Sequence, residues 1–147
     1  MPVVLRVSGL DELRASLLAS IGRADELTRV ATVAGLAEIE TSIKNQLRKT
    51  SHQKGTLTPS APGQPPSLIT GNLMRSFALQ GPVGGDGRYT GSVGPTAVYS
   101  RIQELGGVCG RNRSVRLPAR PYVQPGFDEA LPKVHAGFIA AWAGIFA

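Results

Sequence analysis

Side chains able to carry catalysis are few, because the 147 residues include one cysteine and two histidines. Cys109 lies close to Arg111 and Arg113, whose positive charge favours a nucleophilic thiolate. No histidine is near Cys109 in sequence to act as its base, and neither His52 nor His135 has neighbouring metal ligands. The carboxylates are spread along predicted helices rather than paired for acid–base work. The sequence therefore predicts a protein that is not an enzyme and uses no cofactor or metal.

Charge is the second chemical signal, because the net charge of +6 is concentrated in the middle of the chain. Residues 44–120 carry eleven basic and two acidic side chains, whereas both flanking parts are slightly acidic. Two basic clusters supply seven candidates for contact with nucleic-acid phosphates, which are Lys44, Arg48, Lys49, Lys54, Arg111, Arg113 and Arg116. A solvated surface is the alternative interpretation. Aromatic residues do not alternate with these cations, so stacking on single-stranded bases is not indicated.

A glycine-rich segment, residues 81–87, separates two strand-like stretches at residues 73–80 and 88–94. The segment lacks the Gly-Lys-Ser/Thr ending of a nucleotide-binding phosphate loop. Asp86-Gly87 is typical of a hairpin turn, since both residues tolerate positive φ. We therefore expect a β-hairpin here rather than a nucleotide site.

The elements that position these residues follow from apolar spacing. Alternation over residues 3–7 predicts a first strand. Apolar residues at intervals of three and four predict a helix over 10–21 that ends at Gly22. A second, longer helix is predicted from about residue 25 to 49, with acidic residues at its start and basic residues at its end.

The later elements complete the expected fold. Residues 97–105 predict a short helix ended by Gly106, and residues 115–117 predict a strand. Residues 128–146 predict a last helix with Pro132 in its first turns. The sequence thus predicts a single α+β domain over residues 1–147, in which one small antiparallel sheet packs against two long helices.

Residues 51–72 differ from the rest of the chain because prolines and glycines exclude regular structure there. A loop of this length within a compact domain is typically functional or ordered by a partner. A flexible insertion without a role is the alternative interpretation.

Three groups of residues occur in a familiar order along the chain. They are APGQPP (61–66) with TGNLMRSF (70–77), VGP (93–95) with AVYSRIQELGG (97–107), and PARPYVQPGF (118–127). Together they resemble the tail-completion, or neck, proteins of long-tailed bacteriophages, a family that includes minor tail protein Z-like proteins. The resemblance covers about residues 8–147, and residues 108–116 have no counterpart in it.

This resemblance implies a structural virion protein that acts in tail completion and head-to-tail joining. Its partners would be further copies of itself in a ring, a hexamer by the symmetry of such tails, and neighbouring neck and tail-tube or tail-terminator proteins. Basic residues facing the channel would contact genomic DNA without reading its sequence. The expected location is the virion, with the host cytoplasm during assembly and no membrane association.

Two finer predictions concern the matched segments. Prolines hold a chain extended and lower the entropy lost on binding, so the 51–72 loop is expected to contact a neighbouring subunit. Its interface candidates are Pro62, Pro65, Pro66, Leu68, Ile69 and Leu73. Glu104 and Arg120 are predicted to form an ion pair that ties the short helix to the extended segment.

Two alternatives belong to other classes of protein. One is a small basic nucleic-acid-binding protein that acts outside a virion, which the arginines near residue 113 would permit. The other is a hydrolase that acts through Cys109 or His135.

Overall fold

The computed structural model describes residues 8–56 and 58–145. A single helix of 39 residues, α1 (Leu10–Arg48), replaces the two helices expected in this part of the chain. The predicted stop at Gly22 is wrong, because a glycine within a helix costs only about 1 kcal/mol relative to alanine and no proline interrupts the segment. The strand predicted over residues 3–7 lies outside the described residues.

The second long helix, α4 (Val123–Ala143), begins five residues before its predicted start. Pro132 therefore lies in the helix interior, where it removes one backbone hydrogen-bond donor, and not in the first turns. The two long helices are antiparallel, since Gly126 packs against Ile43 near the end of α1. Further back along α1, Trp142 Nε1 donates a hydrogen bond to Thr28 Oγ1 at 3.2 Å.

A hairpin of two antiparallel strands, β1 (Phe77–Gly85) and β2 (Arg88–Pro95), packs against α1. The predicted turn is confirmed, because Asp86 and Gly87 both adopt positive φ, at 53° and 74°. The strands extend into the glycine-rich segment that was expected to separate them, with an irregularity between Gln80 and Val83.

A second hairpin, β3 (Gly107–Cys109) with β4 (Val115–Leu117), confirms the strand predicted at 115–117. It is a separate two-stranded sheet, so the expectation that the strand at 115–117 joins the same sheet as the first hairpin is wrong. Each strand pairs with its neighbour in sequence because a tight turn returns the chain at once. The α+β class is nevertheless confirmed.

Two short helices lead into the core. The first, α2 (Asn72–Arg75), replaces the start of the strand predicted from Leu73. The other, α3 (Ser100–Leu105), ends at Gly106 as predicted. The core lies where α1, α2 and the start of α4 meet, and its buried members are Ile43, Leu47 and Tyr122.

Candidate functional site

Glu104 organises the junction between α3 and α4. Its Oε2 accepts the backbone N–H groups of Tyr122 and Val123 at 2.7 and 2.9 Å, and its Oε1 accepts that of Gln124 at 3.0 Å. The first N–H groups of a helix have no partner within the helix, and a carboxylate also stabilises the positive end of the helix dipole. Glu104 therefore caps α4 from a different element.

Arg120 has a different partner, so the predicted ion pair between Glu104 and Arg120 is not formed. Arg120 is only 6% exposed, and its Nε donates to the carbonyl of Ser60 at 3.1 Å. No carboxylate lies within ion-pair distance of it among the described residues. The carboxylate of Glu104 is occupied by three backbone N–H groups at the start of α4. The guanidinium of Arg120 binds the 51–72 loop instead.

The 51–72 loop is irregular, as predicted, but its described residues are bonded to the rest of the chain. Leu68 N donates to the carbonyl of Thr50 at 2.9 Å, and His52 N donates to the carbonyl of Leu68 at 3.2 Å. Gly63 N donates to the carbonyl of Ala119 at 3.0 Å. These bonds fold the loop back on its own domain rather than project it as an arm.

The six interface candidates of this loop are divided by that folding. Leu73 packs against the core, and Pro65 is buried within the chain. Pro66 and Leu68 are half-buried, whereas Pro62 and Ile69 are exposed. Only Pro62 and Ile69 therefore present a largely free surface to a neighbouring subunit.

The first basic cluster is partly neutralised by its own chain. Lys44 Nζ lies 2.6 Å from Glu40 Oε1 and 5.7 Å from the centre of the Phe77 ring. Lys49 Nζ is 3.9 Å from Glu129 Oε2. Arg48 is exposed and donates to the side-chain oxygen of Asn45, while Lys54 is exposed in the loop.

The second basic cluster is brought together by the β3–β4 hairpin. Arg111 and Arg113 lie in its turn, and Arg116 lies on β4 opposite Val108. All three arginines are exposed. This hairpin is the part of the described chain whose charge is best placed for contact with a polyanion.

The N-terminal end of α1 extends past the rest of the domain. Its first buried residue is Thr28, and residues 10–19 are all exposed. At about 1.5 Å per residue, α1 is about 58 Å long and α4 about 32 Å. Because Trp142, near the end of α4, lies beside Thr28, the first turns of α1 have no long helix next to them.

Four apolar residues on this extension form what we call the exposed stripe, and they are Leu10, Leu13, Leu17 and Ile21. Their exposed fractions are 55–64%. Their spacing of three and four residues places them on one helix face. Contiguous exposed apolar side chains of this kind mark interaction surfaces in proteins.

A groove of about 350 Å³ lies between the two long helices, and we call it the α1/α4 groove. Its apolar lining includes Leu27, Val30, Ala31, Ala34, Val134 and Ala141. Glu38 and Lys133 also border it, paired at 2.8 Å. That bond raises the pKa of Lys133 above its ordinary value.

The apolar spacing correctly placed the stripe on an amphipathic helix, but it did not show that no element of the described chain covers the stripe. The sequence signal for this exposure is helix length. The apolar periodicity runs over residues 10–47, and the last helix is too short to cover all of it.

Asp25 lies where the exposed extension of α1 ends and the covered part begins. Its carboxylate accepts the Gly87 N–H and the Tyr89 hydroxyl, each at 2.7 Å. These bonds hold the pKa of the Asp25 carboxyl below its ordinary value.

Several other features bear on the classes of function. Within residues 8–56 and 58–145, no group of three His, Cys, Asp or Glu side chains is placed to hold a metal ion. The helices in the same ranges are too short or too polar to cross a membrane. Cys109 is half-buried at the end of β3.

Comparison with known proteins finds no matching family model, no significantly similar curated protein and no significantly similar solved structure.

Proposed function

We propose that this chain is a structural protein of the bacteriophage neck, which assembles as a ring and joins DNA-filled heads to tails. The observation that carries the proposal is the presence of two unlike apolar surfaces on one chain, the exposed stripe and the α1/α4 groove. The order of the three segments that resemble phage neck proteins supports this family, and the two surfaces would provide a means of assembly.

The stripe and the groove match in length as well as in chemistry. Leu10 and Ile21 are eleven residues apart, as are Leu27 and Glu38 at the limits of the groove along α1. Each surface therefore extends about 16 Å along its helix. Packing one on the other would remove apolar area from water on both sides, at about 25 cal/mol per Å².

The partner in this contact is a second copy of the chain. The stripe and one wall of the groove belong to the same uninterrupted helix, so a molecule cannot fold its own stripe into its own groove. A contact between two different surfaces of identical chains is heterologous, and repetition of it gives a closed ring or an open filament. Closure is the outcome that a channel for DNA requires.

The β3–β4 hairpin, which carries the second basic cluster, would line the channel of such a ring. Arg111, Arg113 and Arg116 are exposed and carry no ion pair to a described carboxylate. Facing the channel, they would contact phosphates without reading base sequence, which is what passage of a whole genome requires.

The proposal is tested by electron microscopy of lysates from a phage that cannot make this chain. We expect separate DNA-filled heads and complete tails, with joining restored by the intact chain. Leu17→Glu places a charge on the exposed stripe and should not restore joining. Ala19→Glu places the same charge on the opposite face of the same exposed helix and should restore it.

Two outcomes would contradict the proposal. Normal joined particles without the chain would remove the neck role. A monomeric chain that binds DNA tightly and with strong salt dependence would favour a nucleic-acid-binding protein acting outside a virion.

A further inference from the structure

Arg120 is a buried cation without an anionic partner. It is 6% exposed, and no Asp or Glu oxygen lies within 4.0 Å of its guanidinium among the described residues. The residues outside the described ranges include no Asp or Glu. Arginine is almost never fully buried unless it is paired, because the loss of hydration is costly. The described residues therefore supply no counter-ion for the charge of Arg120.

The described hydrogen bonds of the Arg120 guanidinium use only part of its donor capacity. A guanidinium carries five N–H donors in a rigid fork. The Nε donor is used by the carbonyl of Ser60, and the two terminal nitrogens have no acceptor among the described residues. The side chain lines a cavity of about 250 Å³ between the 51–72 loop and the segment that follows β4.

The rest of the cavity lining contains no carboxylate, and its hydroxyl groups on Thr56, Ser60 and Ser67 already make hydrogen bonds within the chain. The side chains of Thr58 and Gln103 make no hydrogen bond to a described residue and supply the further donors. The polar members of the lining are His52, Thr56, Thr58, Ser60, Ser67, Gln103 and Arg120. The Nδ1 atom of His52 is buried and has no hydrogen-bond partner. A buried polar atom without a partner often marks a position that a water or an ion occupies. The cavity thus holds a buried guanidinium with no described carboxylate beside it and a buried imidazole nitrogen with no hydrogen-bond partner.

We infer that this cavity binds a phosphate-type oxyanion, with Arg120 as its main partner. The planar fork of arginine matches the geometry of phosphate oxygens, and hydroxyl and amide donors supply further hydrogen bonds. The phosphate is either free inorganic phosphate or a phosphate of the DNA backbone. This site is separate from the exposed stripe, and it stands whether or not the chain forms a ring.

Binding at this position has a structural consequence. The cavity is bordered by the loop on one side and by Arg120 on the other, so an anion in it bridges two segments far apart in sequence. A molecule that binds only the folded state raises stability according to its concentration. Phosphate should therefore raise the melting temperature of the intact chain.

Thermal unfolding of the intact chain in millimolar inorganic phosphate tests this inference, with chloride at equal ionic strength as the reference. We expect a rise in Tm with phosphate that exceeds the rise with chloride. Arg120→Lys keeps the charge but loses the fork and should lose most of that rise. Arg88→Gln removes an exposed arginine on β2 that does not line the cavity, and it should retain that rise.

Thr58→Val guards against failure of Arg120→Lys to fold, since it removes one cavity hydroxyl and should reduce the phosphate-dependent rise. A short DNA duplex then separates the two sources. Competition between the duplex and phosphate would identify the backbone as the natural occupant, and no competition would identify free phosphate. The inference is overturned if phosphate raises Tm no more than chloride does, or if the rise is equal in Arg88→Gln and in the cavity variants.

Discussion

The two ends of α1 differ in how far the chain satisfies its own chemistry. At the C-terminal end, Ile43 and Leu47 are 1% and 2% exposed and pack with Tyr122, which has no exposed surface. At the N-terminal end, Leu13 and Leu17 are more than half exposed on the same helix. The C-terminal end of α1 is covered by side chains of its own domain. The N-terminal end exposes apolar surface of the kind that a domain normally buries.

Helix length, and not composition, separates the core from the exposed stripe. Both ends of α1 carry apolar residues at helical spacing, but α4 reaches only as far back as Thr28. Changes at the C-terminal end should therefore destabilise the fold, whereas changes at the N-terminal end should alter association.

The largest loss of stability is expected for Gly126→Ala, which lies against the covered C-terminal end of α1. An added Cβ would lie 2.6 Å from Ile43 Cα and 2.9 Å from Ile43 N, so the two long helices would have to separate. We expect a loss of about 1–3 kcal/mol in the free energy of unfolding, measured in urea. Gly137→Ala is the matched control on the same helix, because nothing lies within 4 Å of its added Cβ. It should gain up to about 1 kcal/mol, and equal losses in both variants would show that the contact with Ile43 is not tight.

A smaller loss is expected for Glu104→Gln. The amide keeps one oxygen acceptor but loses the charge and the second acceptor for the first N–H groups of α4. We expect a loss of about 1–2 kcal/mol in the free energy of unfolding. Arg101→Gln, an exposed change on α3, should have little effect.

A double-mutant cycle with Arg120→Lys sharpens this result. The two residues have separate partners, so their effects on the free energy of unfolding should add. Strong coupling between the two substitutions would contradict this expectation and would support a direct ion pair between Glu104 and Arg120.

The smallest effect on stability is expected for a change at Asp25, which lies where the covered part of α1 begins and binds the turn of the β1–β2 hairpin. The pKa of its carboxyl is lowered by the Gly87 N–H and then by the Tyr89 hydroxyl. A lowered pKa in the folded state means that the stabilisation is present above the ordinary carboxyl pKa and is lost as pH falls through the folded value. Asp25→Asn should therefore lower Tm slightly at neutral pH and lose less on acidification than the unchanged chain. An Asp25→Asn curve parallel to that of the unchanged chain would contradict the assignment.

Much of the fold was predictable because its signals are local. Asp86-Gly87 specifies its own turn, and Gly106 ends α3 through its own backbone freedom. The start of α4 was not predictable in this way. It depends on Glu104, which lies 18 residues before the first N–H group that it accepts.

The candidate site was predictable only in part, for a related reason. Opposite charge suggested that Glu104 and Arg120 pair, but three backbone N–H groups compete for the carboxylate and are better placed. The apolar spacing at Leu13 and Leu17 was visible in the sequence. Whether another element covers those residues is a property of the whole fold, so their exposure was not.

Native mass spectrometry of the intact chain tests most directly the claim that the exposed stripe binds the α1/α4 groove of a second copy. We predict a closed oligomer, with Leu17→Glu shifting it to monomer and Ala19→Glu leaving it assembled. A monomer at every concentration, or an oligomer that Leu17→Glu leaves intact, would contradict the claim.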